Sequence, residues 1–430
     1  MNIVIIGNGI TGITCARNIR KQLSDVRIIV ISGESEYFFS RTALMYLYMG
    51  HMKFENTKPY EDWFWQKNRI ELIKSYVTSI NTDSQYVELD TKETLSYDKL
   101  IIASGSKPNQ LNLNGKKFKG IQGLYSLSDL EEMNQNTRGI NAAVVIGGGL
   151  IGIEMAEMLH SRKIDVTMII REKAYWNNVL PVEEAELISR HIIEHGIKLR
   201  PETECKEFIP DENGRVKAVK TDTDEIILCE FVGVTIGVNP NIDFVKGSDL
   251  ETDRGILVNE CLETNISNVY AAGDCAQFRI PKTGHPAVEQ LWYTGKLQAE
   301  ALAQTIYGNK KPYNRGIWFN SAKFFGIEYQ TYGRITTESD NYTESFYWEH
   351  PNGKLAFRAN FSKSDRYIQG FNFLGIRFRQ VVAEDWIRGK KTIEYVIKNL
   401  NQGWFDPEFS KPYYNEIKQA FFRFEFNNGN

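Results

Sequence analysis

The sequence predicts an α/β protein with two parallel-sheet domains, one inserted in the other, followed by a smaller α+β domain at the C-terminus. Three observations carry that reading. A strand–turn–helix pattern occurs twice, as Val4-Ile5-Ile6-Gly7-Asn8-Gly9-Ile10-Thr11-Gly12 and as Val144-Val145-Ile146-Gly147-Gly148-Gly149-Leu150-Ile151-Gly152. Each copy runs into a helical stretch and then a second apolar strand, Val26 to Ile31 in the first and Val166 to Ile170 in the second, so each is a βαβ unit. From about Pro312 the texture changes: aromatic residues crowd in, Pro351-Asn352-Gly353 separates two strand-like runs as a hairpin, and helical patterns follow at Val381 to Leu400 and Tyr414 to Phe422.

Further strands complete the two sheets. Tyr97 to Ser106 is a buried strand ending in the small-residue turn Ser104-Gly105-Ser106, and Glu230 to Ile236 ends at Gly237. Asn268 to Asp274 ends in Gly273-Asp274, with a helix following from Ala287 to Tyr307. Lys107-Pro108 and Asn239-Pro240 mark the crossings between domains, because proline interrupts regular structure there. The resulting layout is a first domain over 1–108 and 241–312, an inserted domain over 109–240, and a C-terminal domain over 313–430.

Composition narrows the function. A chain of 430 residues is long enough for two to four cores. A formal net charge of −3 gives no general attraction to nucleic acid or anionic membrane. No apolar run reaches the ~18 residues a membrane span needs. The N-terminus enters a strand directly, with no basic leader, which predicts a fold starting at residue 1 and a cytoplasmic location. The five cysteines, Cys15, Cys205, Cys229, Cys261 and Cys275, are widely spaced, with no CxxC. They predict free, buried thiols rather than a disulfide framework, a zinc site or an iron–sulfur cluster. His191 and His195 stand at i, i+4 without the glutamate of a zinc-protease motif, and are expected on a solvated helix face.

The chemistry lies in the repeated glycines. In a Gly-x-Gly-x-x-Gly turn between strand and helix, Gly7, Gly9 and Gly12, or Gly147, Gly149 and Gly152, permit a tight turn, close approach of a pyrophosphate and close helix–strand packing. The helix N-terminus then supplies backbone N–H groups and the positive end of its dipole. Two Rossmann-like turns predict two dinucleotides. Such a site also uses an acid about 20 residues on, for the ribose. Glu34 fits that place in the first unit, the alternative being a solvated loop carboxylate. In the second, Ile170 fills the acidic position and Arg171-Glu172 follow. Arg171 favours a 2′-phosphate and hence NADPH, whereas Glu172 serves a 2′-hydroxyl and hence NADH. Both readings stand.

These residues resemble the two-dinucleotide-binding-domain flavoproteins, the pyridine nucleotide-disulfide oxidoreductases. The resemblance runs over about the first 310 residues. It rests on the Gly7/Gly9/Gly12 turn, the Tyr97 to Ser106 strand, the Gly147/Gly149/Gly152 turn with Glu154, the turn at Gly237-Val238-Asn239-Pro240-Asn241, and Thr264 to Asp274. It implies FAD at the first turn, with Ser104, Gly105, Gly273 and Asp274, and a nicotinamide cofactor, NADH or NADPH, at the second, with Gly237 nearby. It also implies a flavin-end helix, Pro286 to Trp292, carrying Glu289 as a cofactor contact. Trp292 and Tyr293 then shield the ring, or are ordinary core aromatics.

Relatives that reduce disulfides carry a redox cysteine after the ribose acid. Here that segment is Tyr37-Phe38-Phe39-Ser40-Arg41-Thr42-Ala43-Leu44-Met45-Tyr46, without cysteine, so a thiol relay is absent. The segment is more similar to that of ferredoxin, rubredoxin and nitrite reductases, in which an arginine at the place of Arg41 contacts FAD. Those commonly have lysine where Tyr46 stands, paired with the glutamate matching Glu154. Tyr46 and Glu154 are therefore the catalytic candidates that the resemblance implies, and a tyrosine at 46 gives Glu154 no cationic partner there.

The implied activity is hydride transfer from NAD(P)H to flavin, then electron transfer to an unknown acceptor, such as a ferredoxin- or rubredoxin-like carrier or a small molecule. The alternatives are an NAD(P)H oxidase, a quinone reductase whose C-terminal helix docks on membrane, and, in another class, a redox-switched binding protein resembling apoptosis-inducing factor. The segment Glu416 to Phe424 is short and not strongly basic, which favours docking on the protein's own core. The C-terminal domain is expected to form a homodimer interface, the alternative being a lid that docks the acceptor or covers the flavin.

Overall fold

The computed structural model describes every residue except 339, 406, 407, 409, 410, 429 and 430. The chain divides into two compact units, one of 1–111, 122–138 and 236–315, the other of 112–121, 139–235 and 316–430. The helix Leu127–Asn136, which the sequence reading put in the inserted domain, lies in the first unit, and the C-terminal segment shares a unit with the second βαβ repeat.

The first unit is built on a five-stranded parallel sheet in the order Val269–Ala271, Lys99–Ile102, Asn2–Ile6, Arg27–Ser32, Ile70–Lys74. Its inner strands are near-continuous runs of buried Ile, Val and Leu, as expected of strands covered on both faces. The helices Ile10–Gln22 and Trp292–Ile306 pack on it, through Ile13, Ala16 and Ile19 on the one and Ala299, Leu302 and Ala303 on the other. The two proline turns pair with each other, Ser106–Pro108 lying antiparallel to Val238–Pro240.

In the second unit, strands Lys198–Arg200, Asp165–Ile169, Ala142–Ile146 and Phe231–Val234 are parallel neighbours in that order. The predicted Glu230 to Ile236 strand is thus shorter at both ends. Beyond Gly316, five antiparallel strands are ordered Phe319–Phe324, Ile327–Gly333, Ile368–Leu374, Ala356–Ser362, Thr343–Glu349. The period-2 alternation gives this sheet two different faces. Phe346, Phe357, Phe361, Phe371 and Phe373 pack against Trp386, Val396, Ile417 and Phe421 from the following helices. Arg358, Asn360 and Asn372 are also buried and belong to the opposite face. There Arg358 meets Glu183 at 2.7 Å and Glu184 at 3.2 Å, and Asn372 Nδ2 donates to Glu184 at 2.9 Å, tying the sheet to the helix Val182–Glu194.

Three sequence expectations need correction. The helix predicted over Val381 to Leu400 is two, Gln380–Arg388 and Ile393–Lys398, broken where Gly389 is followed by Lys390 at φ 46°. The helix predicted from Pro286 begins only at Trp292, because the Ala287 carbonyl is taken by the Phe278 N–H and the Glu289 side chain is drawn into the core. His191 is buried rather than solvated: His195 packs on it and stacks on Phe325, which a sequence pattern local to the helix does not reveal. The segment expected to dock on the protein's own core does so through Ile417, Phe421 and Phe424, while Phe422 is exposed.

Candidate functional site

The two glycine turns have the same construction. A Cβ at Gly12 would lie 1.9 Å from the Gly7 carbonyl oxygen, and one at Gly152 would lie 2.3 Å from that of Gly147. These third glycines are required by helix–strand packing. A Cβ at Gly9 or Gly149 would meet nothing within 4 Å. Those second glycines therefore border open space, as a turn that admits a pyrophosphate requires. Both helices also begin without a side-chain cap and without an acid in the first turn, so their N-terminal N–H groups and dipole ends are available to an anion. The residues present fit two dinucleotides.

Around the first turn the structure gathers residues that are far apart in sequence. Glu34 and Arg41, expected as separate cofactor contacts, form a two-point ion pair with one arm at 2.9 Å. Arg41 also donates to the Tyr125 carbonyl and lies over the Tyr125 ring, and the Leu127 N–H donates to Glu34 at 2.8 Å. Burial opposes the Arg41 charge, but the Glu34 pairing outweighs it and leaves the pKa raised. Ser106 Oγ donates to Asp274 at 3.0 Å, and Gln290 Nε2 donates to Ser106 Oγ at 2.9 Å. Burial pushes the Asp274 carboxyl up against the opposing influence of Ser106, Arg41 and Tyr125. Burial, helped by Asp274, lifts the Tyr125 phenol to about 12. The site thus pairs the Arg41 guanidinium with the Glu34 carboxylate and gives the Asp274 carboxyl a neutral donor, Ser106, itself backed by Gln290.

Tyr125, Ser106 and Thr11 were not legible as site residues. Thr11 fills the junction where Cβ atoms at Gly273 and Gly295 would stand. Tyr125 lies in a stretch with no motif, and its hydroxyl, which accepts from the Ser106 N–H, comes to Gly105 only through the fold. Of the other residues expected at cofactors, Ser104 Oγ donates to the Asn241 carbonyl at 2.7 Å, and the Gly237 carbonyl accepts from the Asn109 N–H at 3.0 Å. Glu289, expected as a cofactor contact, is 3% exposed, and its carboxylate is engaged by Gln298, Tyr313 and Arg315. Trp292 is exposed at the start of its helix, which removes the core alternative for that residue.

At the second turn, Tyr175 is fully buried and donates to the Gly149 carbonyl at 3.0 Å. Its ring packs on Phe324 of the C-terminal sheet. Glu172 Oε2 lies 3.7 Å from where a Cβ of Gly148 would stand, beside the turn, whereas Arg171 is exposed. Glu154 sits one turn into the helix Leu150–Ser161, where burial, then the charge of Glu157, raises its carboxyl to about 7. Tyr46, the other catalytic candidate, belongs to the first unit, on the helix Leu44–Tyr48 with its ring against His51.

All five cysteines are buried and free, and burial pushes the Cys205 and Cys229 thiols up to about 11 and 12. Burial raises the Cys15, Cys261 and Cys275 thiols as well, which disfavours the nucleophilic thiolate at neutral pH. Among the described residues, no cluster of three or more His, Cys, Asp or Glu is placed to hold a metal ion, and no helix is long and apolar enough to cross a membrane.

Residues 1–290 match the family described as pyridine nucleotide-disulphide oxidoreductase. The chain belongs to that family. Its members are FAD- and NAD(P)H-dependent oxidoreductases, in agreement with the resemblance seen in the motifs. This family member is 30% identical to rhodocoxin reductase of Rhodococcus erythropolis, over 75% of this chain and 76% of that protein. It is also 30% identical to the assimilatory nitrate reductase electron transfer subunit of Bacillus subtilis (strain 168), over 77% of this chain but only 42% of that longer protein. A NAD-dependent persulfide reductase from A. fulgidus shares the fold with a TM-score of 0.86 at 21% identity, covering 100% of this chain and 84% of that one.

Proposed function

We propose that this chain is an FAD-dependent NAD(P)H oxidoreductase that passes electrons from the flavin to a carrier protein without a thiol relay. The observation that carries the reading is the pair of glycine turns, each with an open second glycine and an uncapped helix N-terminus. When bound, the flavin accepts hydride from the nicotinamide and releases electrons to the acceptor. The chain's own residues bind and orient. The first turn and Gly273 admit the FAD pyrophosphate, with Arg41 as the adjacent cation held in place by Glu34. Gly147, Gly149 and Gly152 do the same for the nicotinamide cofactor, with Tyr175 bracing Gly149. Glu154, poised near neutrality, holds or yields a proton at its carboxyl oxygen.

The absence of cysteine between Glu34 and Tyr46, and the buried state of the five thiols, support direct exit of electrons from the flavin. A rubredoxin- or ferredoxin-like acceptor is supported by similarity to rhodocoxin reductase and to rubredoxin-NAD(+) reductase. A second reading, oxygen as acceptor, is favoured by 29% identity to an NADH oxidase of Methanocaldococcus jannaschii. NADH is the proposed donor, because the Glu172 carboxylate beside Gly148 suits a ribose 2′-hydroxyl and repels a 2′-phosphate. The proposed setting is the cytoplasm, and the proposed assembly a homodimer through the C-terminal domain, which sedimentation checks.

The deciding experiment is anaerobic reduction of the purified protein by NADH and by NADPH, followed by addition of rubredoxin, ferredoxin or oxygen. Bleaching of the flavin band by NADH and its return with a carrier protein is the expected result. Failure to hold or take up flavin overturns the proposal.

A further inference from the structure

We infer that Glu289 is a positioning residue for the flavin site, acting through Gln298 on the backbone N–H of Gly273. The inference rests on the flavin reading of the first unit. Gly273, at φ +77°, stands between the strand Val269–Ala271 and Asp274, facing Thr11 of the first glycine turn. Its N–H donates to Gln298 Oε1 at 2.7 Å. Gln298 is 1% exposed, and its Nε2 donates to Glu289 Oε2 at 3.2 Å. The same carboxylate accepts from the Tyr313 hydroxyl at 2.9 Å and from Arg315 at 3.3 Å. His285 Nδ1 lies 3.9 Å from it.

The direction of this relay follows from donor chemistry. A side-chain amide can present either its oxygen or its NH2 to a neighbour. Gly273 offers only a donor, so Gln298 must point its oxygen there and its NH2 the other way. An ionised carboxylate is acceptor-only and admits only that orientation. If Glu289 became an amide, Gln298 could turn over and set its NH2 against the Gly273 N–H, leaving a buried donor unsatisfied. The carboxylate thus enforces the set of the Gly273-Asp274 turn without touching the cofactor. Its other partners, Tyr313 and Arg315, belong to the same unit, at its C-terminal end.

The test compares Glu289→Gln, Gln298→Met and the double variant with the wild-type chain, measuring FAD affinity by flavin fluorescence, the absorption band of bound FAD, and the unfolding midpoint of the apoprotein. Each single variant is expected to weaken FAD at least tenfold and to shift the flavin band in the same direction. The double variant is expected to be no worse than Gln298→Met, since the two groups act in series. Multiplying effects would overturn the relay, as would a Glu289→Gln protein whose apoprotein midpoint falls while FAD affinity and spectrum stay unchanged. If Glu289→Gln fails to fold, Gln298→Met decides alone, because wild-type FAD affinity in that variant refutes the role. Wild-type protein that takes up no FAD removes the flavin reading itself, and shows this before any variant is compared.

Discussion

Replacing Glu154 by Gln is expected to stabilise the chain at neutral to alkaline pH and to leave it unchanged in acid. Burial, then the neighbouring Glu157 charge, raises the folded-state carboxyl to about 7. A glutamate in the unfolded chain titrates near ~4.3. Between those values the folded state keeps a proton that the unfolded state has lost, so stability falls as pH rises through that window. The rise from ~4.3 to about 7 corresponds to about 4 kcal/mol as an upper bound, since one pH unit is worth ~1.4 kcal/mol. Glutamine is never ionised and escapes the loss. Denaturant unfolding of both proteins from pH 4 to pH 8, followed by tryptophan emission, measures the difference. The curves should meet near pH 4 and diverge to a few kcal/mol by pH 8, the variant being more stable. Parallel curves across the range would refute the claim that Glu154 is held protonated by its surroundings.

Three further outcomes follow from the same geometry. Gly9→Ala should fold with an unchanged midpoint yet bind FAD at least tenfold more weakly, whereas Gly12→Ala, whose Cβ meets the Gly7 carbonyl, should lose about 3 kcal/mol of stability; equal stabilities would be inconsistent with this. Glu172→Ser should raise the NADPH/NADH ratio of kcat/KM about tenfold, a ~1.4 kcal/mol change, and Arg171→Ala should lower NADPH use more than NADH use; a ratio that neither variant moves discards both ribose readings. Arg358→Met leaves Glu184 buried without its cation and should cost about 3–5 kcal/mol in denaturant unfolding. A loss below ~1 kcal/mol would show that the sheet is not held to the Val182–Glu194 helix by that pair.

Local pattern was sufficient for the two βαβ repeats, because strand hydrophobicity, glycine spacing and helix periodicity are all short-range properties. Gly7, Gly9, Gly12 and their counterparts were legible for the same reason, as was the lack of a cysteine beside Arg41. Which glycine is structural and which borders open space was not legible. That depends on the Gly7 and Gly147 carbonyls lying against the helices. The helix start at Trp292 was missed because the competing partner of Ala287 is Phe278, whose pairing is a tertiary fact.

The sequence by itself determined that this chain has two glycine-rich dinucleotide turns, no cysteine between Glu34 and Tyr46, and a third region of different texture. Each of those follows from residue types at fixed spacing. Only the tertiary structure decided the partners of the charged groups: Glu34 with Arg41, Asp274 with Ser106, Glu184 with Arg358, and Glu289 with Gln298. A buried charge must find its complement wherever the fold brings one, and sequence distance carries no record of that meeting.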